Sequence, residues 1–384
     1  MNIINSFAED RFSRFELISW WDQKKLIESK ILVIGAGALG NEILKNLSLL
    51  GVGNILVVDM DTVENSNLSR SVLFREKDNG FPKAETAARS AKDIFPGANI
   101  RYINANVTNG LGLGFFRWAD IVIAGLDNRE ARLFINRCCW KTNTPWIDGA
   151  IEQLNGVARV FVPPDGVCYE CTMSKVDMDI IRLRRSCNLL TRDEMLDGKV
   201  PTTPTSASII AGIQCQEAVK YIHGLPVLKD KGFIYNGMTH DSYIVEYQKK
   251  DDCYSHETYE EIEDLNISVS TSKIIDLYNE AQKRLGAGAV IELNHEIISK
   301  LLCPSCGSDK DVYRPAGTVK ASDAVCSKCH EPMTPQLFHS IDGTENFLEK
   351  TFEEIGIPPF DILKARRGIN EWAFCFKSDK EKFI

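Results

Sequence analysis

No apolar stretch in this chain approaches the roughly 18 residues needed to span a bilayer, which excludes a membrane-spanning helix. A basic excess is missing too. Lys and Arg number 45 against 53 Asp and Glu, a formal net charge of −8, where a general nucleic-acid binder would carry a basic face. The opening "MNIINSFAEDRFSRFEL" has no apolar run behind a basic start, so no secretory signal is expected and the protein is expected in the cytoplasm. Internal repeats and low-complexity tracts are also lacking, which excludes a repeat array. What remains is an ordinary globular composition, 44% hydrophobic and 26% charged over 384 residues. That length suits two domains, or one large domain with an appendage.

Twelve cysteines are present, and a reducing compartment argues against reading them as disulfides. Six form three Cys-x-x-Cys pairs: Cys168/Cys171, Cys303/Cys306 and Cys326/Cys329. Repeated pairs of this spacing point to zinc. Cys303, Cys306, Cys326 and Cys329, with nineteen residues between the pairs, make an independent ribbon expected to hold together a domain too small for its own core. Cys138, Cys139 and Cys215 lie on apolar helical patterns and read as small core residues, as does Cys375 in "AFCF". Of the two that remain, Cys253 has His256 at the same two-residue gap, which leaves Cys187 as the one cysteine neither paired nor placed in a core pattern.

"KILVIG" (30–35) and "NILVVD" (54–59) are apolar without alternation, as strands covered on both faces should be. A helical pattern over 38–50 joins them. "NIRYINANV" (99–107), "ADIVIAGLD" (119–127) and "PWIDGAI" (145–151) continue a parallel sheet, with a helix over 128–142. "NGVARVFVPPDG" (155–166) alternates, which places antiparallel strands at the far edge; 232–250 reads as a further strand pair. Between them lie a long crossing loop, 172–204, and an apolar helix, 205–224, capped by Thr205 or Ser206 and stopped at Gly224. The expected fold class is α/β, a Rossmann-like and mostly parallel sheet with an antiparallel far edge. Residues 1–256 form that unit. After the acidic linker "KKDDCYSHETYEEIEDL", residues 257–384 are expected to form a small α+β domain carrying a zinc ribbon at 303–329. It should begin with a strand "NISVS", a Ser/Thr-capped helix ending at Gly286, and a second strand.

Gly35-x-Gly37-x-x-Gly40 follows a strand and opens a helix, the setting a dinucleotide loop requires. Gly35 serves the tight turn, Gly37 and Ala38 the close approach of a ligand to the backbone, and Gly40 close packing. Asp59, at the end of the second strand, suits a ribose hydroxyl. Those residues alone would fit a nicotinamide enzyme. The polar run behind them does not: Asp61 and Glu64 precede "NSNLSR", in which Asn67 and Arg70 can reach phosphates, and Lys83 adds a second fixed positive charge. Asp127 closes a buried strand in "AGLDNRE", at the carboxyl edge where an Mg²⁺ ligand belongs. This set describes a triphosphate being cleaved.

"GAGALG…VVDMDTVENSNLSR…PK…GLDN" resembles the activating enzymes of ubiquitin-like proteins and their sulfur-carrier relatives, the ThiF/MoeB adenylyltransferases, over about residues 8 to 256. The resemblance implies attack by a protein's C-terminal carboxylate on the α-phosphate of ATP. It implies that Asp59 holds the ribose, that Asn67, Arg70 and Lys83 bind phosphates, that Asp127 holds Mg²⁺ and that Asn128 lines the nucleotide site. Arg14 of "RFSRF" would reach the ATP of the opposite subunit of a homodimer. The family's second metal pair falls on "DDCYSH", so Cys253 and His256 would complete a zinc site with Cys168 and Cys171. Cys187, sixteen residues after Cys171 and close to Arg182, Arg184 and Arg185, would carry the ubiquitin-like protein as a thioester before a conjugating enzyme takes it. Two alternatives stand beside this reading: a sulfur-carrier adenylyltransferase with no thioester step, and a non-catalytic scaffold that binds a partner through its sheet.

Overall fold

A computed structural model describes residues 10–176 and 201–384. Its larger sheet runs β3-β2-β1-β4-β5-β6-β7-β8. The strands are β1 (Lys30–Ile34), β2 (Asn54–Asp59), β3 (Asn99–Asn104), β4 (Ile121–Gly125), β5 (Trp146–Glu152), β6 (Asn155–Phe161), β7 (Lys231–Asn236) and β8 (Asp241–Glu246). β1 to β5 pair in parallel, and β6, β7 and β8 add on antiparallel. The unbroken apolar runs follow from coverage on both faces. Helices α1 (Gln23–Glu28) and α4 (Val107–Gly110) are short; Ile31, Val33, Ile55, Val57, Ile121 and Ile123 point into one core, beneath α2 (Ala38–Leu50), α3 (Lys83–Ile94) and α7 (Pro204–Ile222). Leu32, Ile34, Leu56, Val58, Val122 and Ala124 point into the other, beneath α5 (Leu113–Trp118) and α6 (Arg129–Lys141). Strand order reverses between β1 and β4, and a doubly wound sheet opens a crevice at such a reversal. The glycine loop after β1, Asp59 at the end of β2 and Asp127 after β4 all reach it.

Two caps differ from expectation. Thr203 caps α7, one residue before Pro204, and its Oγ1 accepts from the Ser206 amide at 3.3 Å; proline at the first helical position moved the start forward. Helix α8 (Ile274–Leu285) starts at Lys273 with no serine or threonine cap; Asp276 accepts the Lys273 amide instead, at 2.8 Å. Gly286 ends it at φ +89°.

A second sheet runs β11-β10-β13-β14-β9, with β12 also on β10. Its strands are β9 (Ile262–Leu265), β10 (Val290–Leu302), β11 (Asp309–Pro315), β12 (Thr334–Ile341), β13 (Ile362–Arg367) and β14 (Asn370–Phe376). The expected strand "NISVS" is instead a turn held by Asp379, which accepts from Ser268 Oγ at 2.6 Å and the Val269 amide at 3.1 Å. The strand lies one step earlier, inside the acidic segment, where β9 pairs in parallel with β14. Acidic side chains conceal it because only Ile262 and Leu265 turn towards core.

The ribbon does not substitute for a missing core. Ile274, Leu277, Phe352, Leu363 and Phe374 belong to one apolar cluster, while Cys303 and Cys326 pack in a separate small one with Ile298 and Leu301. The second sheet also joins the first unit's core. Phe360 meets Phe115 edge-on at 5.2 Å, and Asp361 accepts the Leu113 amide at 2.9 Å. A Cβ on Gly114 would stand 2.3 Å from the Phe360 carbonyl oxygen, so this approach requires glycine. Burial raises the Asp361 carboxyl to about 6, against the pull of its backbone donors.

Candidate functional site

A cavity of about 1200 Å³ occupies the crevice at the strand-order reversal. Gly35, Gly37, Ala38, Asp59, Asp61, Asn67, Arg70, Lys83 and Asp127 all line it, though they are spread over 93 positions of sequence. Gly35 takes φ +94°, and a side chain there would press on the Gly125 carbonyl oxygen at 2.6 Å. A Cβ on Gly37 would meet nothing within 4 Å, so its backbone stays open to an approaching ligand. Gly40 sits behind the lining: a Cβ there would fall 1.9 Å from the Gly35 carbonyl oxygen.

Asp59 faces the glycine loop. One carboxylate oxygen accepts the Ala36 amide at 2.6 Å and the other the Asp61 amide at 2.8 Å. Burial raises its pKa, opposed by those two bonds and by Lys83. Lys83 is the first residue of α3, and its ammonium pairs with Asp61 at 2.9 Å. Asn67 closes a short turn, accepting the Glu64 amide at 3.0 Å, and Arg70 donates to the Ser66 carbonyl at 2.7 Å. These bonds fix the backbone of the polar run at the cavity's edge.

Asn128, expected to line the site, instead caps α6. Its Oδ1 accepts from the Glu130 amide at 2.8 Å and the Ala131 amide at 3.3 Å, and it is not among the lining residues. Helix capping is the ordinary use of an asparagine just ahead of a helical pattern. Arg14 stands at the start of the turn Phe15–Leu17, outside its own chain's cavity. Cys187 falls outside the described residues, as does most of the crossing loop 172–204.

Sequence reasoning missed a buried ion cluster in the cavity wall. Asp148, fully buried on β5, pairs with Arg132 at 2.9 Å and Arg159 at 3.3 Å. Arg159 stands opposite Asp148 in the β5–β6 register, and its guanidinium lies over the Tyr169 ring at 5.3 Å. Both arginines line the cavity. The sequence placed both strands, "PWIDGAI" and "NGVARV", but gave neither Asp148 nor Arg159 a role. Arg70, Lys83, Arg129, Arg132 and Arg159 face Asp59, Asp61, Glu64, Asp127 and Glu152 in the lining, so cations and carboxylates balance. Fixed charge alone would leave a triphosphate unneutralised; a divalent cation at Asp127 would offset part of that charge.

Two groups of side chains have the composition of metal sites. Cys168, Cys171, Cys253 and His256 bring their ligand atoms within 4.8 Å of one another, as do Cys303, Cys306, Cys326 and Cys329. In the first, Cys168 Sγ lies 3.6 Å from Cys171 Sγ and 3.4 Å from Cys253 Sγ, and His256 Nε2 lies 3.4 Å from Cys171 Sγ. Such spacings suit a tetrahedral ion with zinc–sulfur bonds of about 2.3 Å. His256 is no stray surface residue: its ring packs on Trp140 at 4.3 Å. Cys138, Cys139, Cys215 and Cys375 are all buried in apolar clusters, and burial raises each thiol. Among the described residues no helix is long and apolar enough to cross a membrane.

The model of the ThiF family matches residues 10–255. The chain is 39% identical over 155 residues to the SUMO-activating enzyme subunit uba-2 of Caenorhabditis elegans, a match covering 40% of this chain and 27% of that protein. It is 43% identical over 157 residues to the NEDD8-activating enzyme E1 catalytic subunit of Dictyostelium discoideum, covering 38% and 35% respectively. With the SAMP-activating enzyme E1 of Haloferax volcanii the identity is 36% over 165 residues, covering 42% of this chain and 61% of the relative. In each case the match spans less than two thirds of the relative's length. Among solved structures, Escherichia coli MccB with ATP superposes with a TM-score of 0.54 at 24% identity, covering 66% of this chain and 75% of that one. At that identity the likeness is one of fold.

Proposed function

Because the chain belongs to the ThiF family, we propose that it is an ATP-dependent activating enzyme that adenylates the C-terminal carboxylate of a ubiquitin-like protein. The observation that carries this reading is the joint lining of one cavity by Gly37, Asp59, Asn67, Arg70, Lys83 and Asp127. The carboxylate oxygen attacks the α-phosphorus, the bond to the bridging oxygen of the β-phosphate breaks, and pyrophosphate leaves with the electron pair. Asp59 orients the ribose, while Asn67, Arg70 and Lys83 hold the phosphates and stabilise charge as it grows on the leaving group. Mg²⁺ held at Asp127 would act as a Lewis acid on the phosphate oxygens. Arg14 would act on the opposite subunit's nucleotide in a homodimer. The chain divides on this reading at residues 256/257, and both cysteine clusters hold zinc.

The finer step is a thioester on Cys187. Arg182, Arg184 and Arg185 stand within five positions of it in the sequence, and cations close to a thiol lower its pKa from about 8.5 towards neutrality. A non-reducing gel with ATP and the ubiquitin-like partner tests it. The expected band disappears with a thiol reductant and is absent in Cys187→Ala, which still exchanges pyrophosphate. A band surviving in that variant assigns another cysteine. Adenylation by the wild type with no band at all gives the lead to the sulfur-carrier reading. A conjugating enzyme as the next acceptor depends on the band.

A further inference from the structure

The first metal cluster and the cavity share a stretch of backbone. Cys168 and Cys171 are ligand candidates, while Tyr169 between them and Thr172 and Met173 just after them line the cavity. Arg159 ties these wall residues together. It stacks over Tyr169 at 5.3 Å and donates to Thr172 Oγ1 at 3.3 Å.

Lys250 locks the same stretch from outside. Its backbone N–H donates to Cys171 Sγ at 3.4 Å, and its ammonium donates to the Met173 carbonyl at 2.6 Å and the Glu170 carbonyl at 3.4 Å. One residue thus bonds a ligand sulfur, the carbonyl at the start of the turn 170–172 and the carbonyl just past its end. A side-chain ammonium on main-chain carbonyls is a directional, charge-assisted restraint.

This wall is remote from the nucleotide end. β6, which carries Arg159, is three strands from β1, a separation of about 14 Å at ~4.8 Å per strand. Asp59 lies one strand further. On the adenylation reading, the wall formed by Tyr169, Thr172 and Met173 is the side from which the acyl partner would approach the nucleotide.

We propose that Lys250 is a positioning residue that couples the Cys168–Cys171–Cys253–His256 cluster to the cavity wall receiving the acyl partner. The proposal rests on the adenylation reading for the identity of that partner. Lys250 touches neither ATP nor the carboxylate; it acts through Met173 and Cys171. The fit of the cluster to zinc is a matter of its own donor set; the Lys250 backbone N–H contacts one donor and stays in any variant, while its ammonium holds the main chain on either side of that donor.

The test uses the full-length protein with Lys250→Ala and Lys250→Arg. Lys250→Ala should retain two zinc ions per chain and bind Mg–ATP in calorimetry with unchanged affinity. Amide exchange across residues 168–173 should quicken about tenfold, and the KM for the partner that supports AMP formation should rise about tenfold, in the range of outer-contact substitutions at metal sites. Lys250→Arg, which keeps the cation, should restore both. Unchanged exchange across 168–173 overturns the proposal, and so does an equal loss of ATP affinity. A wild type that forms no AMP removes the adenylation reading, while the exchange and calorimetry arms still decide whether Lys250 holds the wall.

Discussion

Asp127→Ala is expected to lower ATP–pyrophosphate exchange by about a thousandfold or more, since losing a metal-held charge at a phosphoryl centre costs several kcal/mol. Asp127 follows β4 at the strand-order reversal and lines the cavity with Lys83 and Arg70. Its loss also upsets a lining in which carboxylates and cations balance. Asp127→Asn keeps the size and tests the charge alone; exchange should stay as low. Retention of wild-type exchange by either variant would remove Asp127 from the metal role.

The second large effect concerns Gly40. A methyl group there would stand 1.9 Å from the Gly35 carbonyl oxygen and 2.7 Å from its carbon, so Gly40→Ala must displace the loop itself. Overpacking of this kind costs about 1–3 kcal/mol, a fall of a few degrees in melting temperature for a chain of this size. ATP binding should weaken more than stability, because the displaced backbone is the part that meets the phosphates. Gly37→Ala separates the two effects. Its methyl group meets nothing within 4 Å, so the melting temperature should hold while ATP affinity drops. Equal affinity in Gly37→Ala and wild type would show that no ligand comes close to that backbone.

Much of this site was legible before any coordinates. Strands buried on both faces have no polar positions to blur the pattern, so β1, β2 and β4 stood out as apolar runs. The glycine loop and the residues after β2 carry their chemistry in fixed order, and they converge on one crevice because parallel strands deliver all their carboxyl ends to one edge. The Cys253/His256 pair was implied by the family resemblance rather than by a cysteine pattern of its own, and the fold brings it across more than 80 positions to Cys168 and Cys171.

What escaped has physical reasons. β9 is an edge strand whose Glu263 and Asp264 fall on opposite faces and pair with Arg284 and Arg117, so charge hid the pairing that β14 imposes. Asn128 carries a side chain suited to both ligand and cap, and its capping bonds to the Glu130 and Ala131 amides depend on the helix that follows. The Arg132–Asp148–Arg159 cluster unites a helix and two strands, and no local spacing signals a contact made across a sheet. The shared core at Phe115 and Phe360 depends on contacts some 245 positions apart, visible in the sequence only as two unexplained glycines, Gly112 and Gly114.

The central claim is that the nucleotide is cleaved at its α-phosphate by a carboxylate. Chromatography of the nucleotide products with mass detection tests it most directly, with protein, Mg–ATP, the ubiquitin-like partner labelled with ¹⁸O in its terminal carboxylate, and a thiol to discharge the adenylate. AMP and pyrophosphate should form only when the partner is present, and one ¹⁸O should appear in the AMP, because the attacking oxygen stays with phosphorus when the acyl group departs. Release of ADP and phosphate, or AMP without the label, would contradict the account.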